Sequence, residues 1–237
     1  MKSELTLVLP CYNPPSGWAD IVLEGYKEIQ SYVDYPVELI IVNDGSTQHI
    51  EASIVHKLQN QIPLFKFISY PANRGKGFAL RKGMKEVQTQ TVIYTDIDFP
   101  YTSESLLSML RELQSGTEIA IGVKNKTYYK NVPFVRVLIS KILRKLIGFS
   151  LSIPITDTQC GLKGFHQKGK EVFLGTTIDR YLFDLEFVYN SFRQKPPLSI
   201  RPISITLKPG VKFRRINAKI LWTELRNFLK ILKRNYE

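Results

Sequence analysis

Short apolar runs alternate with helix-like stretches through the first 123 residues, and this alternation constrains the fold more than any other feature of the chain. The runs predict buried strands at 5–9, 37–42, 65–69, 92–95 and 119–123, and the stretches between them predict helices at 19–32, 50–58, 76–87 and 103–113. Strands that alternate with helices favour right-handed βαβ units. We therefore expect an α/β fold: a Rossmann-like, mostly parallel central sheet flanked by helices. No linker divides the chain, so we expect a single domain over residues 1–237.

Polar clusters follow four of the predicted strands. They are Pro10-Cys11-Tyr12-Asn13, Asn43-Asp44-Gly45-Ser46, Asn73-Arg74-Gly75-Lys76-Gly77 and Asp96-Ile97-Asp98. In parallel sheets, ligands bind beyond the carboxyl ends of the strands. The four clusters together therefore predict one site at that edge.

Asp96 and Asp98 carry the strongest chemical signal, because one residue separates them after an apolar strand. On an extended strand end, this spacing directs both side chains to one side. Two carboxylates that point together repel each other unless a cation lies between them. Oxygen ligands suit Mg²⁺ or Mn²⁺, often with substrate phosphates completing the shell. The alternative is a solvated acidic turn.

The other clusters are weaker signals when taken one at a time. Asp44 is either a turn residue or a carboxylate that accepts hydrogen bonds from a ribose or a base. At the predicted helix start, the backbone N–H groups together with Arg74 and Lys76 would favour a pyrophosphate, although a plain basic helix start explains them too. Asp157 opens a polar segment after an acid-free stretch, and its residues alone do not separate a loop from a site. Asp184 and Glu186 lie at a predicted helix start, where the helix dipole stabilises negatively charged side chains.

The net charge of +12 is distributed unevenly. Residues 119–156 contain seven basic residues and no acidic one, and residues 187–237 contain twelve basic and two acidic ones. Segments of this kind bind anions, whether phosphorylated ligands, nucleic acid or an anionic bilayer.

Two basic stretches, at 133–148 and 220–233, have the period of amphipathic helices. Each would pack on the core, on the other helix, or on anionic lipid. No run reaches the roughly 18 to 20 apolar residues that span a bilayer, so we expect membrane contact to be peripheral. Two cysteines form no disulfide framework, which favours the reduced cytoplasmic compartment.

The order of these motifs, with Asp157-Thr158-Gln159-Cys160-Gly161-Leu162-Lys163, resembles glycosyltransferase family 2 over about residues 5–190. The branch it resembles most is that of the polyprenyl-phosphate hexosyltransferases. The resemblance implies a GT-A fold, a nucleotide-sugar donor (UDP- or GDP-hexose), a divalent cation (Mg²⁺ or Mn²⁺) and inversion at the anomeric carbon. It also implies a donor-binding half at about 1–115 and an acceptor-binding half at about 116–237.

The resemblance further implies a role for individual residues. On the donor side, Pro10, Tyr12 and Asn13 would line the base pocket, Asp44 would hold the nucleoside, and Arg74 and Lys76 would lie near the diphosphate. Asp96 and Asp98 would form the D-x-D metal motif, with Asp96 also contacting the donor. Asp157 and Gln159 would face the reacting groups. For a lipid-phosphate acceptor, Lys212, Arg214 and Arg215 are candidate anchors.

Three departures from the family pattern bear on the acceptor and the metal. Pro14 follows Asn13 where the family usually has Glu, Pro100 stands where some members have a Gln, and the C-terminal transmembrane helices of many members of this branch have no counterpart. We expect transfer to a polyprenyl phosphate at the cytoplasmic face of a membrane.

Two alternatives stay open. One is a family 2 enzyme that glycosylates a sugar hydroxyl in a cell-surface polysaccharide, with Asp157 as the general base. The other is a basic membrane- or nucleic-acid-binding module. A module of that kind leaves Asp96 and Asp98 unexplained, because carboxylates repel a phosphate backbone. We therefore do not expect a nucleic-acid partner.

Overall fold

The computed structural model describes residues 3–125, 128–211 and 218–235. In chain order its elements are β1 (Leu5–Cys11), α1 (Trp18–Gln30), β2 (Glu38–Asp44), α2 (Ala52–Gln61), β3 (Phe65–Tyr70), α3 (Lys76–Met84), β4 (Thr91–Tyr94), α4 (Ser103–Gln114), β5 (Ile119–Lys124), a 3₁₀ turn (Tyr128–Asn131), α5 (Phe134–Ser150), β6 (Lys163–His166), α6 (Gln167–Leu174), α7 (Phe183–Phe192), β7 (Ile200–Ile205) and α8 (Ala218–Asn235).

Within the described residues, seven strands form one sheet in the order β3-β2-β1-β4-β6-β5-β7. The pairs β3–β2, β2–β1, β1–β4 and β5–β7 are parallel, whereas β6 is antiparallel to both of its neighbours. Because β6 is reversed, its first residue lies at the edge where the other strands end. The segment that precedes β6 therefore reaches the same edge as the polar clusters.

The predicted fold class is confirmed, and the five predicted strands match β1 to β5. The sequence pattern did not predict β6 and β7. β6 is only four residues long and reads Lys-Gly-Phe-His, so it carries no apolar run. β7 contains Pro202, which weakens its strand pattern, and it tolerates the proline because it lies at the edge of the sheet.

Two apolar clusters cover the two faces of the sheet. Alternate residues of β1 point to opposite faces, with Leu7 and Leu9 in one cluster and Val8 in the other. The first cluster includes side chains of α1 and α4, and the second includes side chains of α3, α6 and α7. Burial on both faces explains why the strands read as continuous apolar runs.

Helix α5 is attached to this core by few side chains. Ile147 is fully buried, but Leu138, Ile142 and Leu146 are 46%, 50% and 44% exposed, and Phe149 is 92% exposed. Packing of the stretch 133–148 on the core, one of the alternatives left open, therefore does not hold for Leu138, Ile142 and Leu146. In α8, the exposed apolar residues are Leu221, Trp222, Leu225 and Leu229. Among the described residues, no helix has the length and apolarity that crossing a bilayer requires.

Candidate active site

The polar clusters meet at the carboxyl edge of the sheet, as predicted. A chain of contacts joins them. The loop after β1 binds the loop after β2, Asp44 binds the loop after β3, Lys76 binds Asp96 after β4, and Gly161 before β6 touches Asp96. The clusters therefore form one continuous surface at this edge.

Asn13 ties the first two loops together. Its backbone N–H donates to Ser46 Oγ at 2.9 Å, and its Oδ1 accepts from the Thr47 N–H at 2.8 Å. Its φ of 42° lies in the left-handed region, which asparagine tolerates better than most residues. Beside it, Tyr12 is 40% exposed and Pro10 is partly exposed, so the ring of Tyr12 is accessible to a ligand.

Asp44 is a buried carboxylate rather than a solvated turn residue, with only 3% of its surface exposed. Oδ1 accepts from the Arg74 N–H at 2.7 Å. Oδ2 accepts from Asn73 Nδ2 at 2.8 Å and from the Gly75 N–H at 2.9 Å. Asp44 thus fastens the loop that leads into α3, and its contact with a nucleoside stays a prediction.

Most backbone N–H groups at the start of α3 already have partners inside the protein. The N–H groups of Arg74 and Gly75 donate to Asp44, and those of Gly77 and Phe78 donate to the carbonyl oxygen of Asp179. These four amides already have partners inside the protein, which argues against them as a pyrophosphate cradle. The side chains of Arg74 and Lys76 remain candidates for that contact.

Asp96 begins a turn, not the extended strand end that its spacing from Asp98 suggested. Its carbonyl oxygen accepts from the Phe99 N–H at 3.0 Å, and Phe99 has a φ of 43°. Asp96 Oδ1 accepts from Lys76 Nζ at 2.6 Å, while Asp98 is exposed. Burial lowers the pKa of Lys76, but Asp96 and then Asp184 raise it more, so the net shift is upward and Lys76 stays charged.

Gly161 lies directly against the other oxygen of Asp96. A methyl group added at Gly161 would lie 2.2 Å from Asp96 Oδ2, which no real side chain can do. The Gly161 N–H also donates to Tyr101 Oη at 2.9 Å. This close approach needs a glycine and fixes the segment before β6 onto the turn that carries Asp96.

The two carboxylates fit a divalent cation that arrives with a phosphorylated ligand. Within the described ranges, no group of three or more His, Cys, Asp or Glu side chains could hold a metal ion. A cation between Asp96 and Asp98 would therefore need further oxygens from elsewhere. Mg²⁺ is commonly held by one or two carboxylates plus substrate phosphates, so the donor set suits such a shared site.

Asp157 lies 7% exposed between two cations. Oδ1 accepts from Lys124 Nζ at 3.0 Å, and Oδ2 accepts from the Lys124 N–H at 2.6 Å and from Arg144 Nη2. Lys124 Nζ also donates to the carbonyl oxygen of Gln159 at 2.8 Å, which brings both predicted catalytic residues to one cation.

The sequence pattern did not predict the roles of Lys124 and Arg144. Arg144 lies in the stretch 133–148, predicted as an amphipathic helix, and its guanidinium turns toward Asp157 and Tyr129 Oη rather than toward solvent. One feature of the sequence could have indicated these roles: residues 119–156 carry basic side chains and no acidic one. Such a segment needs a counter-ion, either a carboxylate from elsewhere in the chain or an anionic ligand.

Lys163, at the start of β6, forms a buried ion pair with Asp184 at the start of α7. Lys163 is fully buried, and its Nζ lies 2.6 Å from both Asp184 Oδ1 and the carbonyl oxygen of Cys160. Tyr94 Oη also donates to Asp184, and burial raises the pKa of Tyr94. The helix-dipole explanation of Asp184 and Glu186 is therefore insufficient, because Asp184 is the counter-ion of Lys163 and Glu186 accepts from the N–H groups at 177 and 178.

One expectation falls outside the described residues, and one cavity lies away from the site. Lys212, Arg214 and Arg215, the candidate anchors for an acceptor phosphate, lie outside the described residues.

A cavity of about 760 Å³ opens near Glu118, just before β5 begins, and includes none of the predicted site residues in its lining. Because β5 runs in the same direction as β4, this cavity lies at the opposite edge of the sheet.

Comparison with known proteins decides the family. The model of glycosyl transferase family 2 matches residues 6–173, which include the predicted site residues from Pro10 to Gln159. The chain belongs to glycosyltransferase family 2.

This family 2 chain is 26% identical over 222 residues to the dolichyl-phosphate β-glucosyltransferase ALG5A of Trichomonas vaginalis, covering 89% of this chain and 68% of that protein. The dolichyl-phosphate β-glucosyltransferase of Saccharomyces cerevisiae is 24% identical, with coverages of 84% and 66%. The chain thus spans about two thirds of the length of these relatives.

Solved structures confirm the GT-A fold of this family 2 protein. Mannosyl-3-phosphoglycerate synthase from Rubrobacter xylanophilus superposes with a TM-score of 0.72 at 15% identity, covering 98% of this chain and 74% of that one. The mannosyltransferase PcManGT from Pyrobaculum calidifontis, solved in complex with GDP-Man and Mn²⁺, superposes with a TM-score of 0.57 at 17% identity, with coverages of 98% and 63%.

Proposed function

We propose that this protein transfers a hexose from UDP- or GDP-hexose to a polyprenyl phosphate, with inversion at the anomeric carbon and dependence on Mg²⁺ or Mn²⁺. Family membership supports the transfer chemistry, and the names of the relatives support the lipid-phosphate acceptor. We assign donor binding to about residues 1–115 and acceptor binding to about 116–237.

The observation that carries the choice of acceptor is the position of Asp157 between Lys124 and Arg144. A hydroxyl acceptor needs a general base with an oxygen within hydrogen-bond reach of the hydroxyl. Both oxygens of Asp157 already accept from cationic groups. A polyprenyl phosphate is itself anionic, so it needs no base, and two cations around one carboxylate leave a positive excess that attracts it.

In the proposed step, an oxygen of the acceptor phosphate attacks the anomeric carbon while the bond from that carbon to the donor diphosphate breaks. The electron pair of the broken bond stays on the departing nucleoside diphosphate. Lys76 and Arg74 would stabilise the charge that develops there, and Asp157 would hold Lys124 and Arg144 in position for the acceptor. A divalent cation at Asp96 and Asp98 would supply Lewis-acid stabilisation of the same leaving group.

The proposal includes peripheral attachment to an anionic membrane, at its cytoplasmic face. Helix α5 presents Phe149, Ile142 and Leu138 to solvent, and its exposed Lys141 and Lys145 lie on the same helix. An interfacial helix combines an exposed apolar face with flanking cations in this way. Attachment there would bring Arg144, on the same helix, close to the surface in which a lipid-linked acceptor resides.

An acceptor competition tests the function. The purified protein is incubated with labelled UDP-glucose or GDP-mannose and Mn²⁺, together with either a short-chain polyprenyl phosphate or an oligosaccharide with free hydroxyl groups. We expect label in the lipid phosphate and loss of transfer with a chelator. Transfer to the oligosaccharide alone would overturn the lipid acceptor and favour a polysaccharide-building enzyme, and full activity in chelator would overturn the metal dependence.

A further inference from the structure

A second cavity, of about 250 Å³, opens beside the candidate active site. It lies between the loop that leads into α3, the loop before α7, and α8. We call it the three-cation pocket, because Arg74, Arg180 and Lys230 lie in its lining. It adjoins the donor side of the site, since Arg180 Nη1 lies 3.4 Å from Oδ1 of Asn73, which itself binds Asp44.

None of these three cations forms an ion pair within the described residues, although Glu224 on α8 interacts electrostatically with Arg180. No Asp or Glu oxygen of the described chain comes within 4.0 Å of the side-chain nitrogens of Arg74, Arg180 or Lys230. Asp179, the acidic residue of the lining, forms an ion pair with Arg81. Three positive charges around one small cavity repel each other and create a potential that favours an anion.

Contacts within the protein hold the Asp179 loop and the side chain of Arg74 in the pocket wall. The carbonyl oxygen of Asp179 accepts from the Gly77 N–H at 2.8 Å and from the Phe78 N–H at 3.2 Å. The guanidinium of Arg74 lies 4.3 Å from the centre of the Phe78 ring. One residue before Asp179, the Ile178 N–H donates to Glu186 Oε2 at 2.8 Å. This part of the wall therefore loses little conformational entropy when a ligand binds.

The chemistry of the lining selects phosphoryl oxygens. Two guanidinium groups offer planar, forked donors that match phosphate geometry, and Lys230 adds a third charge. Asn227 and Thr223 add neutral donors on the same helix as Lys230. The volume lies below the roughly 300–1,000 Å³ of pockets that take drug-sized ligands, so it suits one or two phosphoryl groups rather than a whole nucleotide-sugar.

We propose that the three-cation pocket binds a phosphoryl anion without needing a divalent cation. The phosphoryl group has two possible sources, namely the phosphates of the nucleotide or the headgroup of an anionic phospholipid. The first source rests on the proposed function, and the second does not.

Calorimetric titration with inorganic pyrophosphate in the presence of EDTA tests the pocket. We expect the wild type to bind pyrophosphate, and the double variant R180Q/K230Q to bind it at least about tenfold more weakly, because charge-assisted hydrogen bonds are lost. The matched control R201Q/K85Q removes the same charges from exposed positions outside the pocket and should bind as the wild type does. Circular dichroism and thermal melting establish that each variant is folded. Equal affinity of R180Q/K230Q and the wild type, or no binding by the wild type, would overturn the proposal.

Two further arms identify the source. If UDP or GDP binds R180Q/K230Q more weakly in EDTA while the bare nucleoside shows no difference, the nucleotide supplies the phosphoryl group. If instead phosphatidylglycerol vesicles lose affinity for R180Q/K230Q and the nucleotides do not, the headgroup supplies it. The pyrophosphate result does not depend on sugar transfer, so an inactive wild type that still binds pyrophosphate through this pocket would overturn the proposed function alone.

Discussion

Lys76 Nζ lies 2.6 Å from Asp96 Oδ1, so a lysine from the start of α3 already neutralises the first carboxylate of the D-x-D turn. A divalent cation at Asp96 would compete with this ammonium group. Binding of such a cation would free Lys76 to contact the phosphates of the ligand. The pair would therefore link occupation of the proposed metal site to the positioning of Lys76 beside the leaving group.

The variant Lys76→Met tests that competition. Without the ammonium group, Asp96 has no resident counter-ion, so the free protein should bind Mn²⁺ several-fold more tightly than the wild type does. Turnover should nevertheless fall by about 10²-fold, because a group that stabilises the leaving diphosphate is missing. Electron paramagnetic resonance of free Mn²⁺ measures the affinity. Unchanged Mn²⁺ affinity would show that Lys76 and the cation do not share Asp96.

Asp98→Asn should abolish cation-dependent transfer and leave the fold intact. Asp98 is exposed, so its replacement leaves no buried charge behind, but a neutral amide is a weaker ligand for a hard cation. The matched control is Asp34→Asn, another exposed carboxylate that lies outside the site. The initial rate of transfer and the melting temperature are measured for both. If Asp98→Asn kept most of its activity, the metal assignment would be wrong.

Asp44→Ala should weaken nucleoside diphosphate binding and also lower stability. Asp44 accepts hydrogen bonds from Asn73, Arg74 and Gly75, and their loss leaves buried amides unsatisfied. A cost of about 1–3 kcal/mol in the free energy of unfolding is expected. Calorimetry measures the affinity and urea unfolding measures the stability. Equal nucleotide affinities with lowered stability would limit Asp44 to fastening the loop.

Gly161→Ala should inactivate the enzyme by displacing Asp96. The added methyl group would lie 2.2 Å from Asp96 Oδ2, so either the carboxylate or the segment before β6 must move. The matched control is Gly175→Ala, where the new methyl group meets nothing closer than 3.4 Å. Transfer rate and Mn²⁺ affinity in the presence of nucleotide are measured. Wild-type values of both for Gly161→Ala would refute the close packing at Asp96.

The sequence predicted the parallel half of the sheet and its site edge because buried strands and their polar ends leave a local pattern. The local pattern did not predict that the segment carrying Asp157 reaches the edge of the sheet where Asp96 lies, because that depends on β6 running in reverse between β4 and β5. Nor did it predict Arg144 at Asp157. Helical periodicity indicates which residues share a face, but the docking of α5 decides which face meets the site. Lys163 was missed for a related reason, since a lysine becomes a core residue only when a partner such as Asp184 is buried with it.

Removal of charge from α5 tests membrane attachment. Lys141 and Lys145 are exposed on α5, beside the apolar side chains that face solvent. Arg144 is left in place because it binds Asp157, and its loss would damage the site. Each Lys or Arg near an anionic surface contributes about 1 kcal/mol, so K141Q/K145Q should bind anionic vesicles roughly 30-fold more weakly. The control K82Q/K85Q removes two exposed lysines in and just after α3.

In co-sedimentation, the wild type should pellet with anionic vesicles at low salt and release at high salt, because charge attraction is screened within about 10 Å at 0.1 M. Wild-type protein that stays in the supernatant with anionic vesicles at low salt would refute the attachment and favour a water-soluble acceptor.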